Sequence, residues 1–203
     1  MKPVVISPPG DEPRELTVLE ALFASGIERY HVRKPGWTAE RLRLWLAEWP
    51  AAWRQRVVLH HHHELVARLG IGGRHWPDDG AAPAVPDDRS FNSRSCHSLK
   101  SLRDAAGHYD AVFFSPVFPS LSKPGVGPVP AADLAAVSTW LAARTDAERR
   151  TRVLALGGIT AATAPQALDL GFDSVALLGA IWQAADPVQA YTRLLTLPSR
   201  HAA

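Results

Sequence analysis

Imidazole, guanidinium, ammonium and hydroxyl groups recur in this chain directly after short apolar runs. His31-Val-Arg33-Lys34 closes one such run, His60-His61 follows Val-Val-Leu, His75 follows Gly-Gly-Arg, and Ser95-Cys-His97 ends another. Neutral imidazole accepts and donates protons near pH 7, so His31, His60, His61, His75 and His97 are candidates for acid–base work. Arg33 shares a face with His31 on an extended segment. A cation turned into a cleft asks for an anion, supplied by a ligand or by a structural carboxylate. The run His60–His63 is internal and is not a terminal tag. Adjacent strand side chains point to opposite faces, and no cysteine or carboxylate pattern nearby completes a zinc set. Acid–base chemistry at His60 or His61 is the favoured expectation there, with adventitious nickel or zinc affinity beside it and a dedicated metal site as the less favoured alternative.

Two pairs of small residues offer a different chemistry. Leu156-Gly157-Gly158-Ile159 and Leu178-Gly179-Ala180-Ile181 each place small residues between an apolar run and a helical pattern. Exposed amide N–H groups there suit an oxyanion, although glycine equally serves a tight turn. Ser120, Ser122 and Lys123, in a loop stiffened by Pro116, Pro119 and Pro124, either grip a second anion or face water on a rigid surface loop.

The elements that would position these groups alternate. Strands are expected at Pro3–Ser7, Arg29–Val32, Val57–Leu59, Gly73–Trp76, Ser90–Ser95, Ala111–Ser115, Val153–Leu156 and Ser174–Leu177. Helical patterns fall at Leu16–Ser25, after Thr38, and at His63–Leu69, Leu99–Ala106, Ala131–Ala143, Ala164–Leu170 and Pro187–Leu195. Pro77–Asp88 holds three prolines and no helical period, so the fourth helix is short or missing. The charged run Arg144–Arg152 reads as a solvated loop. Eight strands alternating with helices in 203 residues predict a single (β/α)8 TIM barrel over 1–203, with no linker or second domain. In that fold chemistry belongs at the C-terminal strand ends, where the candidate residues fall.

Composition narrows the partners. The charge is nearly balanced, 22 Lys+Arg against 20 Asp+Glu, and the basic residues are scattered, which argues against a nucleic-acid surface. One cysteine excludes a disulfide framework. No apolar run reaches the ~20 residues of a membrane span, and the first ten residues are too short and proline-broken for a secretory signal. A cytoplasmic protein is expected. Trp37, Trp45, Trp49 and Trp53 lie on or beside the second helix, as packing against the barrel or as part of a homodimer face.

Ser115-Pro-Val-Phe-Pro-Ser-Leu-Ser-Lys-Pro-Gly resembles the Gly-Pro-(Ile/Val)-(Phe/Tyr)-Pro-Thr-x-(Thr/Ser)-Lys segment of the thiamine phosphate synthase and thiazole tautomerase family. Leu154-Ala-Leu-Gly-Gly-Ile resembles its Ala-Ile-Gly-Gly-Ile, Ser95-Cys-His-Ser its Ser-(Thr/Val)-His-(Ser/Thr), and His75 sits in the place of its Gly-Val-His-Leu-Gly. The similarity covers nearly the whole chain. It implies an enzyme acting on thiazole phosphate, in one branch joining it to a pyrimidine diphosphate with release of pyrophosphate and the help of magnesium. By the resemblance, Arg33, Lys34, Ser95, Ser120, Ser122 and Lys123 serve the diphosphate, and Gly157, Gly158, Gly179 and Ala180 serve the thiazole phosphate. Asp78 or Asp79 would be one magnesium carboxylate. The family's Asn-Asp after the third strand falls on His60-His61, and its Gln-x-Arg-x-Lys on His31-Val-Arg33-Lys34-Pro. Imidazole in place of a carboxylate weakens a magnesium site, so weak synthase or tautomerase-like activity is expected, with a non-catalytic binder of thiazole phosphate or thiamine phosphate as the alternative. The tautomerase branch carries a histidine where this chain has Pro116.

Overall fold

Short runs of Val, Ile, Leu and aromatic residues form strands here because both faces of each run are covered, one by the barrel interior and one by helices. A computed structural model describes residues 2–79, 88–119 and 127–196. The strands are β1 (Val4–Ile6), β2 (Tyr30–Val32), β3 (Val57–Leu59), β4 (Gly73–Trp76), β5 (Phe91–Cys96), β6 (Ala111–Phe114), β7 (Arg152–Ala155) and β8 (Ser174–Leu177). All pair in parallel in sequence order, and β1 pairs with β8 to close the barrel. This is the predicted TIM-barrel architecture.

The helices are α1 (Glu15–Ala24), α2 (Ala39–Ala47), α3 (Ala51–Arg54), α4 (Leu65–Leu69), α5 (Leu99–Ala105), α6 (Ala131–Ala143), α7 (Asp146–Arg149), α8 (Ala164–Asp169), α9 (Gly179–Trp182) and α10 (Pro187–Leu195). Thr38 caps α2 by accepting the Arg41 N–H at 3.2 Å. No helix lies between β4 and β5 among the described residues. None of the described helices is long and apolar enough to cross a membrane.

The run Arg144–Arg152 is a correction to the reading as a solvated loop. Thr145 and Glu148 form a capping box that starts α7, and Arg152 opens β7. Arg144 is buried, with its guanidinium forked onto Asp173 at 2.8 and 2.9 Å and onto the Thr151 carbonyl at 3.2 Å. Arg144 is pinned because it ties the end of α6 to the turn before β8, whereas Asp146, Arg149 and Arg150 are exposed as the solvated reading has them.

The barrel interior divides in two. Val4, Ile6, Ala111, Phe113, Leu154 and Ala176, from β1, β6, β7 and β8, pack into one apolar cluster. The arc from β2 to β5 presents imidazole and hydroxyl groups instead, from His31, His75, Ser93 and Ser95. The larger apolar layer lies between the strands and the helices. Within it Trp37, Trp45, Trp49 and Trp53 contact each other in series, edge to face, at centroid distances of 5.1, 4.5 and 6.1 Å.

Candidate active site

Strand register builds the centre of the site. His31 on β2 stands level with Val58 on β3, so His60, two residues beyond Val58, projects from the same face of the sheet one layer higher. Arg74 on β4 stands level with Leu59, which brings His75 level with His60. The His31 Nδ1 and His60 Nε2 atoms are 3.2 Å apart. The His60 and His75 rings stack at 4.0 Å between centroids. Phe113, from the apolar half of the barrel, lies against His31 and His75 at 4.7 and 4.9 Å.

Burial sets the charge of this group. Loss of hydration holds the imidazoles of His31 and His60 far below the ordinary histidine range, and the neighbouring His75 adds to it in both. For His75 burial lowers the pKa to about 3, with smaller contributions from His63 and Arg33. All three rings are therefore neutral at pH 7. His75 Nδ1 meets the Ser93 hydroxyl and Nε2 the Ser95 hydroxyl, each at 2.9 Å. The Ser93 hydroxyl donates to the Arg74 carbonyl, which assigns the ring proton to Nδ1 and turns the Nε2 lone pair toward Ser95. His31 Nε2 is buried without a hydrogen-bond partner. Ser93 was missed in the sequence, although it lies two residues before Ser95 on one strand and so shares its face.

The remaining candidates separate. His61 and His97 are exposed. His97 donates its Nδ1–H to the Ser115 carbonyl at 2.8 Å, which leaves Nε2 as an acceptor. Arg33 is half-buried, its backbone N–H is held by the Ser7 hydroxyl at 2.8 Å, and its guanidinium has no carboxylate partner among the described residues. Lys34, expected beside Arg33 at an anion, is taken up elsewhere. Its buried ammonium pairs with Glu15 at 2.5 Å and donates to the Gly10 carbonyl at 2.7 Å. Tyr30 completes that network with a hydroxyl 2.7 Å from Glu15. Ser120, Ser122 and Lys123 lie outside the described residues.

Gly157 and Gly158 close the barrel mouth against the loop after β6. Their φ angles are +95° and +63°, and a Cβ on Gly158 would lie 2.4 Å from the Pro119 carbonyl oxygen. Both therefore have a packing reason for being glycine. Among the described residues no loop or turn hydrogen bond is donated by the amides of Gly157, Gly158, Gly179 or Ala180. The Ser115–Pro116 peptide is cis.

Among the described residues, the donors at the end of β3 are not those magnesium prefers. Hard oxygen ligands are what that ion takes. The end of β3 supplies imidazoles, Asp79 is exposed, and the Asp78 carboxylate is occupied by Arg94 at 3.4 Å and the His97 N–H at 2.8 Å.

Residues 4–181 match the sequence profile of thiamine monophosphate synthase. The chain is 31% identical to the thiamine-phosphate synthase of Methylobacillus flagellatus over 185 residues, spanning 87% of this chain and 84% of that one. It is also 31% identical to the thiamine-phosphate synthase of Thiobacillus denitrificans, spanning 91% of this chain and 88% of that one. The crystal structure of a thiamine phosphate pyrophosphorylase from Bacteroides thetaiotaomicron superposes with a TM-score of 0.75 at 27% identity, over 96% of each chain. Profile, relatives and superposed structure converge, and the chain belongs to the thiamine monophosphate synthase family.

Proposed function

We propose that this protein is a thiamine-biosynthesis enzyme that takes a phosphorylated thiazole into the mouth of its barrel. The observation that carries the reading is the half-buried Arg33, whose guanidinium lacks a carboxylate partner among the described residues. Such a cation is stabilised by an anionic ligand. The amides of Gly157, Gly158, Gly179 and Ala180, which donate no loop or turn hydrogen bond among the described residues, support a place for the thiazole phosphate. Arg33, Ser120, Ser122 and Lys123 would hold the diphosphate of the second substrate.

Two reactions draw on one such pocket. In coupling, the pyrimidine methylene ionises as pyrophosphate leaves and the thiazole nitrogen captures it, which needs held anions and correct orientation. In tautomerisation a proton moves on the thiazole carboxylate phosphate, which needs only a base. His97 is suited to that, because its Nδ1–H is fixed on Ser115 and its exposed Nε2 accepts. The imidazole-rich donor set favours the second reaction, with magnesium-dependent coupling weak.

Thermal-shift titrations with thiazole phosphate, the unphosphorylated thiazole, thiamine phosphate and pyrophosphate test the binding, followed by turnover with and without magnesium. Stabilisation by the phosphorylated thiazoles and not by the alcohol is expected. Failure of every phosphorylated thiazole to stabilise the protein overturns the reading. Efficient magnesium-dependent formation of thiamine phosphate overturns its magnesium part.

A further inference from the structure

We infer that His31, His60 and His75 form a binding site for a zinc-class divalent cation, with imidazole nitrogens as its protein ligands. The inference stands apart from the substrate reading above, which gives no binding or proton-transfer role to these three rings. One ligand-capable nitrogen from each ring lies within 4.8 Å of the other two, before any ion has drawn them together. The 3.2 Å between His31 Nδ1 and His60 Nε2 already matches the edge of a tetrahedral site, about 3.3 Å for metal–nitrogen bonds of 2.0–2.1 Å. The three side chains come from consecutive parallel strands and share one face, so the barrel itself fixes their spacing.

The sequence expectation disfavouring a metal rests on neighbours within His60–His63 pointing apart and on the lack of a nearby cysteine or carboxylate pattern. The site uses only His60 from that run and finds its other ligands on neighbouring strands. Outside the cluster, His62 Nε2 is held by the Trp37 carbonyl at 2.9 Å and His63 Nε2 by the Leu59 carbonyl at 3.0 Å.

Three further observations point to a cation. The His75 Nδ1–H is donated to Ser93, the arrangement by which a ligating imidazole is oriented through its other nitrogen. An uncharged ring whose Nε2 lone pair faces only a rotatable Ser95 hydroxyl can exchange that partner for an ion. His31 is fully buried, and its Nδ1 has no partner among the described residues other than the lone-pair-bearing His60 ring, so the two facing nitrogens share at most one proton where an ion could serve both. Closing on an ion asks His75 to leave Ser95 and tilt out of its stack on His60. His60 is half-buried, so the ion is reached from the mouth, with a fourth position left for water or a substrate oxygen. Nitrogen donors in this number select zinc, cobalt or nickel over magnesium or calcium.

The test uses the full chain without a purification tag, stripped with a chelator and titrated with cobalt(II) and then zinc. One cobalt per chain is expected, with the intense visible absorption of tetrahedral cobalt, bleached when zinc displaces it. His60→Gln, at the half-exposed position, and His75→Gln should each weaken zinc binding by more than about 100-fold, beyond the effect of losing an outer-shell partner. His61→Ala and His62→Ala should bind as the wild type does. The inference is overturned if no tetrahedral cobalt spectrum forms. It is equally overturned if binding survives His60→Gln but is lost with His61→Ala or His62→Ala, which would assign the affinity to the exposed histidine run. Should His75→Gln fail to fold, His60→Gln and the wild-type spectrum decide the matter.

Discussion

Replacing Gly158 by alanine asks whether the loop after β6 is pressed against the loop after β7. Gly158 has a φ of +63°, and a new Cβ would meet the Pro119 carbonyl oxygen at 2.4 Å and the Phe118 Cβ at 2.7 Å. Gly26 provides the control. Its φ is +84°, but nothing lies within 4 Å of the added atom. Left-handed backbone costs alanine roughly 1–2 kcal/mol, and this applies to both variants. Forcing an extra carbon into a packed region costs roughly 1–3 kcal/mol more, and this applies to Gly158→Ala alone. Urea denaturation should therefore show about 1–2 kcal/mol lost in Gly26→Ala and about 2–5 kcal/mol in Gly158→Ala. The clash is relieved only by moving Phe118 and Pro119, so affinity for thiazole phosphate should fall in Gly158→Ala and hold in Gly26→Ala. Equal losses of stability, within the roughly 0.5 kcal/mol of ordinary non-additivity, would refute the packing argument.

Changing Arg33 to alanine should weaken binding of phosphorylated thiazole by roughly 1–3 kcal/mol, measured by calorimetry, with little effect on the unphosphorylated alcohol. Arg144→Leu strands the Asp173 carboxylate and should cost about 3–5 kcal/mol in chemical denaturation, whereas a loss under about 1 kcal/mol would return that run to the solvent. For metal-free protein, the folded-state pKa of His75, about 3, lies below its unfolded value, so its contribution is present above pH 6.5 and drains away as pH falls toward 3. Between pH 7 and pH 5 this amounts to about 2 kcal/mol from His75 alone, and His75→Gln should flatten the urea midpoint against pH accordingly.

The barrel was readable because most strands are short apolar or β-branched runs bounded by polar or small residues, and the alternation with helical patterns places the polar β4 and β5 between them. Val57–Leu59, Gly73–Trp76 and Ala131–Ala143 fall where the pattern puts them. The capped turn within Arg144–Arg152 was hidden because Arg144 earns its burial from Asp173, 29 residues away, and composition carries no trace of such a partner. Lys34 is engaged in the same way, since Glu15 at the start of α1 claims it from 19 residues away. The strand-end rule singled out His31, His60 and His75 as candidates. Their convergence with Ser93 depends on the register between β2, β3, β4 and β5, which only pairing in three dimensions sets.

The series of touching tryptophans has a consequence for how this protein is watched. Four of its seven indoles lie in one contiguous stretch beside α2 and α3, close enough for excitation to pass between them. Lys34 holds its ammonium 5.1 and 5.6 Å from the first two rings. Intrinsic fluorescence is therefore expected to weight one flank of the barrel, so that fraying of α2 alone would change the emission while the eight strands remain paired. Denaturation followed by fluorescence and by backbone circular dichroism should coincide only if that flank melts together with the barrel.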